Sequence, residues 1–262
     1  MSGSIRPVIV IAGIGNATGT GFATARVFSK AGYRVALIAR NAGHLDKAAK
    51  VLKQEGGEAA SFPVQEYSWA AITDVFQVIK AYKWPSPAKH EIRVALWNAG
   101  TGVWKPFLDI TEQEVQSVID STIVGPWAFS HQVLSIFKQN EVDELGKRGT
   151  LLFTGATASW RGNVTTSAFA AGKFALRALS QSLNKEFGKQ NIHVAHSIID
   201  GGILTDRSAG RLTDPAALKE YRENANVRLD PESIGKAYLY LANQDNSAWT
   251  WELDLRPAHE KW

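Results

Sequence analysis

Seven short apolar runs punctuate the chain: PVIVIAG (7–13), RVALIAR (34–40), AASFPV (59–64), IRVALWN (92–98), GTLLFTG (149–155), HVAHSIID (193–200) and TWELDLRP (250–257). Most are apolar almost without interruption, the pattern of strands covered on both faces of a parallel sheet. Helical periodicity fills the gaps. Ile72, Val75, Phe76 and Ile79 follow the i, i+3, i+4, i+7 spacing, as do Ile234, Ala237, Tyr238 and Leu241. Thr111 with Glu114 reads as a capping box, and Asp230 followed by Pro231 as an N-cap and first helical residue. Strands alternating with helices predict an α/β fold, a doubly wound parallel sheet of about seven strands in one domain over residues 1–262. Two stretches, 83–90 (KWPSPAKH) and 203–230, are the expected excursions from that core. Ligands of such sheets gather at the carboxyl ends of the strands, so chemistry is expected just after each run.

The first of those turns is GIGNATGTG, with glycines at 13, 15, 19 and 21 between a strand and a helix. Glycine permits positive φ and close approach of backbone to a pyrophosphate, whose charge then sits at the helix N-terminus. Gly15, Asn16, Thr18, Gly19, Thr20 and Gly21 are therefore candidate nucleotide contacts. After the second run, the place where a carboxylate would meet a free ribose 2′-hydroxyl holds Ala39, followed by Arg40. Arg40 either pairs with a 2′-phosphate, favouring NADP(H), or simply faces solvent. A second oddity is TSAFAAGKFALRAL (166–179), a helix that is apolar or small on almost every face yet carries Lys173. Such a lysine must snorkel to water or find a specific partner, because burying an unpaired charge is costly.

Composition narrows the choices. The chain has 262 residues, 45% hydrophobic and 21% charged, with 22 Gly, a size that one α/β core can serve. It has no apolar run of membrane-spanning length, and the start MSGSIRPVIVIAG lacks the basic region and cleavage site of a secretory signal. With no cysteine, disulfides and thiolate metal sites are excluded, and a reducing, cytoplasmic location is expected. The net charge of +4 is spread over isolated Lys and Arg without a basic block, so nucleic acid is not an expected partner. Histidines 44, 90, 131, 193, 196 and 259 show no metal-ligand spacing, and His193 and His196 read as sheet residues, so no metal is expected.

At this point several motifs coincide. Gly15, Gly19 and Gly21 match a TGxxxGxG loop, Asn98, Ala99 and Gly100 an NAG motif after the fourth strand, and Asp200, Gly201 and Thr205 a PGxxxT stretch with Asp in place of Pro. Phe169 to Lys173 falls where a YxxxK motif is expected. In order and spacing the chain resembles the short-chain dehydrogenase/reductase superfamily over essentially its whole length. The resemblance implies a Rossmann-like sheet, an NADP(H) cofactor held by the glycine loop, Asn98, Gly100, Lys173, Gly201 and Thr205, and a small-molecule substrate. It also implies a homodimer or homotetramer formed through two long helices, near 112–138 and 166–188, the second rich in small residues at Ala168, Ala170, Ala171 and Gly172.

The same alignment removes most of the family's catalytic groups. Phe169 stands where the proton-donating tyrosine belongs, Ala156 where the serine belongs and Thr122 where the asparagine belongs, leaving Lys173. Thr157 and Ser159 lie nearby, but an alcohol of ordinary pKa is a poor general acid. Asp200 either serves the nicotinamide side of the site as charge stabiliser or proton shuttle, or acts as a turn and cap residue. The catalytic candidates are thus Lys173, Thr122, Thr157 and Asp200. Trp104 and Trp160 could wall a flat aromatic pocket, as for an aromatic substrate, or stack on a cation, or else merely fill core. Such a set suits hydride reduction of an acceptor that needs no proton at the moment of transfer, an iminium C=N or a conjugated C=C. The alternatives are a cofactor-bound, non-redox cyclase or isomerase and a non-catalytic NADP(H)-binding protein. The segment 203–230, with Asp214 and Pro215 opening a short helix, is expected to cover the substrate.

Overall fold

The computed structural model describes residues 5–260. Residues 1–4, the beginning of the stretch read for a secretory signal, and residues 261–262 lie outside the described residues. The first half runs β1 (Arg6–Ala12), α1 (Thr20–Lys30), β2 (Arg34–Ala39), α2 (Ala42–Gln54), β3 (Ala59–Pro63), α3 (Trp69–Ala81) and β4 (His90–Trp97). The second runs α4 (Glu112–Ile119), α5 (Gly125–Phe137), β5 (Gly149–Thr154), α6 (Ser167–Phe187), β6 (Ile192–Ile199), α7 (Asp206–Ala209), α8 (Pro215–Glu223), α9 (Pro231–Asn243) and β7 (Glu252–Leu255). One seven-stranded sheet results, ordered β3-β2-β1-β4-β5-β6-β7 with every pairing parallel.

Alternate side chains of β1 show why the apolar runs had to be continuous. Val8 and Val10 join Ile72, Phe76, Phe129 and Leu176 on one face, whereas Ile9 and Ile11 join Phe28, Leu45 and Tyr238 on the other. Burying each such side chain is worth about 1.5–3 kcal/mol, so both faces favour the strand assignment. The order of strands reverses between β1 and β4, which places the glycine turn after β1 beside the carboxyl end of β4.

The capping signals behave as read. Thr111 Oγ1 accepts from Glu114 N at 3.2 Å while Glu114 Oε2 accepts from Thr111 N at 3.0 Å, and Asp230 Oδ1 accepts from Glu232 N at 2.8 Å. Asp214 caps α8 in the same way through Ala216 N.

One expectation needs correction. The helix expected near 112–138 is interrupted by a wider π turn over Asp120–Val124, between α4 and α5. Pro126 has no N–H to continue an i→i−4 ladder, and Trp97 Nε1 takes the Ser121 carbonyl at 3.0 Å, so the turn is recruited to the end of β4 instead. The stretch 83–90 is a surface loop, as expected, with only Trp84 buried. Arg34, fully buried at the start of β2, ties it down: it donates to Ser86 O at 2.6 Å, Ala88 O at 2.9 Å and Glu58 Oε2 at 3.1 Å, and Trp84 packs against its guanidinium. That guanidinium supplies donors to partly buried loop carbonyls.

Removing it leaves those carbonyls and Glu58 short of donors. Arg34→Ala is expected to destabilise the fold by roughly 3 kcal/mol in urea unfolding; a loss below about 1 kcal/mol would mean the loop does not depend on this residue.

Candidate functional site

The glycine turn is built by contact as much as by conformation. Gly13 has φ +97° and sits so close to β4 that a Cβ there would lie 2.3 Å from Ala99 N; one on Gly21 would lie 2.4 Å from Gly13 O. Gly15 is the opposite case: φ is +56° and nothing stands within 4 Å of the Cβ position. Strand, turn and helix are thus pressed together at Gly13 and Gly21, with open space over Gly15. No side chain caps α1 at Gly19, and no acidic residue lies in its first turn, so its first amides face an anion-sized opening. Asn16 Oδ1 accepts from Thr18 Oγ1 at 3.0 Å and holds the turn closed. Thr20 lines the cavity beyond it. At the end of β2, Ala39 is buried and Arg40 exposed, its guanidinium 5.2 Å from the Tyr67 ring centroid and beside the N-terminus of α2.

A cavity of about 640 Å³ opens at the carboxyl ends of β4, β5 and β6. Its floor carries Lys173, 5% exposed, whose ammonium donates to Thr154 O at 2.7 Å. The snorkelling alternative is therefore excluded. Burial pushes the Lys173 pKa down from 10.5 to about 8. Gly100 stands against it, a Cβ there falling 3.6 Å from Lys173 Nζ. Asn98 spends its whole side chain on the protein: Nδ2 donates to Gly13 O at 2.7 Å and Oδ1 accepts from Thr154 Oγ1 at 2.9 Å. Phe169 lies one turn before Lys173 and packs on Trp104, ring centroids 5.0 Å apart. The aromatic wall expected from Trp104 is present; Trp160 lies outside the lining and packs on Arg161 and Arg256.

Other candidates are placed differently from expectation. Thr122 is buried away from the lining, its hydroxyl donated to Val118 O at 2.5 Å and its side chain packed against Gly172. Thr157 and Asp200 both line the cavity, but the Thr157 hydroxyl donates to Asp200 Oδ1. Asp200 is further faced by Arg161 at 3.8 Å and Arg256 at 3.3 Å. Thr157 thus aims its proton at a carboxylate rather than into the open cavity. Gly201 follows with φ +146°, where a Cβ would meet Pro257 at 2.7 Å, which requires glycine. Thr205 caps α7 by accepting from Ser208 N at 3.1 Å. His193 and His196 lie in β6, and burial pushes both pKa values down to about 4.

Arg161, Arg207, Arg211 and Glu260 also line the cavity and carry no motif that would have disclosed them. Arg211 lies over Trp104, 4.9 Å from the ring centroid. The segment 203–230 closes this side through α7, where Asp206 N donates to Thr18 Oγ1 at 3.1 Å and so touches the glycine turn. Among the described residues no group of three or more His, Cys, Asp or Glu gathers as a metal site, and no helix is long and apolar enough to cross a membrane.

A doubly wound parallel sheet with a glycine turn at its point of reversal and a polar cavity beside it defines a nucleotide-binding type of α/β architecture. The chain belongs to the short chain dehydrogenase family, whose model matches residues 8–215. It is 26% identical over 245 residues to the 3alpha-hydroxysteroid dehydrogenase of Mediterraneibacter gnavus, covering 91% of each chain. It is 24% identical over 237 residues to the oxidoreductase asL5 of Sarocladium schorii, covering 90% of this chain and 89% of that one. Among solved structures it superposes on a short-chain dehydrogenase from Rhodopseudomonas palustris with a TM-score of 0.73 and 27% identity, covering 96% and 98% of the two chains. The L-sorbose reductase from Gluconobacter frateurii, complexed with NADPH and L-sorbose, shares the fold at a TM-score of 0.80 and 18% identity, each chain covered completely at 100%.

The buried lysine makes stability depend on pH in a defined direction. Below about pH 8 Lys173 is charged whether the chain is folded or unfolded, and burial of that charge disfavours the fold. Between about 8 and 10.5 the unfolded chain binds the proton more tightly, so stability rises with pH across this window and levels off above it. Lys173→Met is expected to flatten that rise in unfolding experiments at pH 7, 8.5 and 10; an unchanged slope would show that Lys173 is not the titrating group.

Proposed function

We propose that this chain is an NADP(H)-dependent reductase of a small molecule already activated towards hydride, with a conjugated C=C acceptor favoured over an iminium. The carrying observation is the pairing of Phe169 with Trp104 in a lining that contains no tyrosine, while the Thr157 hydroxyl is committed to Asp200. The cavity therefore holds a buried ammonium and an aromatic wall but no hydroxyl poised as general acid for an ordinary ketone.

The residues fit the cofactor. Open space over Gly15 and the uncapped start of α1 suit a pyrophosphate, and Arg40 at the end of β2 suits a 2′-phosphate. The L-sorbose reductase that shares the fold was captured with NADPH. When bound, NADPH would supply hydride to one carbon of the C=C, and the proton that the other carbon needs would come from solvent. Lys173 holds a proton at Nζ on the cavity floor and is positioned by Thr154 O; Phe169 and Trp104 exclude water and offer a flat surface to a planar acceptor. Charge decides between the two acceptors. Arg161, Lys173, Arg207 and Arg211 face Asp200 and Glu260, and Asp200 is already matched by Arg161 and Arg256, so a permanently cationic iminium meets repulsion.

A cytoplasmic homodimer or homotetramer belongs to the same reading. Phe107 and Leu108, 74% and 92% exposed, border an apolar groove with Val115, Ile123, Ala168 and Ala171 between α4 and α6. Sedimentation is expected to give an oligomer that Ala171→Arg shifts towards monomer; a native monomer at micromolar concentration would remove this part of the reading.

With NADPH and a panel of simple ketones and cyclic enones, NADPH consumption is expected with the enones, and ketone turnover is expected at the limit of detection. Phe169→Tyr is expected to raise ketone reduction by about 10²-fold or more, the usual worth of a general acid. Equal rates on ketones and enones by the native chain would sink the proposal.

A further inference from the structure

The cavity carries guanidinium groups that the protein itself leaves unmatched. Arg207 and Arg211 line it, and among the described residues neither forms an ion pair with a carboxylate. Arg161 and Arg256 differ, since both face Asp200. Arg207 and Arg211 are both exposed, and Arg211 is held over an aromatic ring, which orients its planar donors for a bidentate oxyanion.

The location of Arg211 says which part of a ligand it meets. Its guanidinium lies 4.9 Å from the Trp104 ring centroid, and Trp104 packs on Phe169 with centroids 5.0 Å apart. Phe169 is one helical turn from Lys173, so the column Arg211–Trp104–Phe169 runs from the cavity mouth towards the ammonium on its floor. Asp206 of α7 touches the glycine turn through Thr18, with Arg207 next to it in the chain, whereas Arg211 lies over Trp104. Glu260, which lines the cavity near Gly201, disfavours an anion at its own position.

From this geometry we infer that the substrate is a planar, conjugated carboxylic acid whose carboxylate is bound by Arg211, with Arg207 in support, while its flat π-system lies along Trp104 and Phe169. This rests on the reductase reading above for the word substrate, but the binding preference is a property of the cavity alone. Arg211 is then a specificity-determining residue, exposed and free to be changed without disturbing the core.

The test is calorimetric titration of the chain, with and without saturating NADPH, using trans-cinnamate and its methyl ester as probes of equal shape and different charge. The native chain is expected to bind cinnamate at least about 10-fold more tightly than the ester, the scale of one charge-assisted hydrogen bond. Arg211→Gln is expected to abolish most of that preference and Arg207→Gln to reduce it. Lys236→Gln, on α9 and paired with Glu232, changes net charge equally and is expected to leave the preference intact. No preference in the native chain overturns the inference, as does a preference that survives both arginine substitutions. Failure of NADPH to bind would defeat the reductase reading instead, while the probe preference measured without it still decides this one.

Discussion

The site hangs on one chain of hydrogen bonds behind the cavity. Asn98, just past β4, donates to Gly13 O at 2.7 Å and accepts from Thr154 Oγ1 at 2.9 Å; that hydroxyl also meets Tyr238 OH at 2.7 Å, and the Thr154 carbonyl receives Lys173 at 2.7 Å. Four short contacts thus join the turn after β1 to β4, β5, α6 and α9. Each partner is buried or nearly so, where an unmet donor or acceptor is expensive, and the chain leaves none of these groups unmet. The glycine turn, the ammonium and the cavity floor are consequently fixed relative to one another by the sheet.

Beside that fixed frame lie two further clusters. Phe169, one turn before Lys173, packs its ring on Trp104. Asp200 is the centre of a set that draws in Thr157, Arg161 and Arg256 from beyond β5 and β7. Changing one of these residues without the others would strand a buried carboxylate or guanidinium, which costs more than the pair gains.

The sheet was legible because most of its strands are apolar on both faces, and the helix starts because Thr111, Asp214 and Asp230 cap through local bonds within three residues. Phosphate-side glycines were legible for a related reason: a turn that tight admits little else, as Gly13 and Gly21 show. What escaped depends on distance along the chain. Arg34 pins a loop more than fifty positions downstream, separations of 52 and 54 residues that no periodicity encodes. Thr122 looked like a site residue by position, yet the π turn directs its hydroxyl to Val118. Arg207 and Arg211 sit in a covering segment whose path is set by its bridge from Ile203 to Leu229 and its contact with the glycine turn, both tertiary facts.

That last contact has a kinetic side. Asp206 N donates to the Thr18 hydroxyl, which in turn donates to Asn16, so the first turn of α7 and the glycine turn share one short relay. If a nucleotide seats its phosphates over Gly15, as proposed above, they would lie beside this relay, and any step that opened it would be common to a bulky and a slight acceptor alike, however differently the two react once inside.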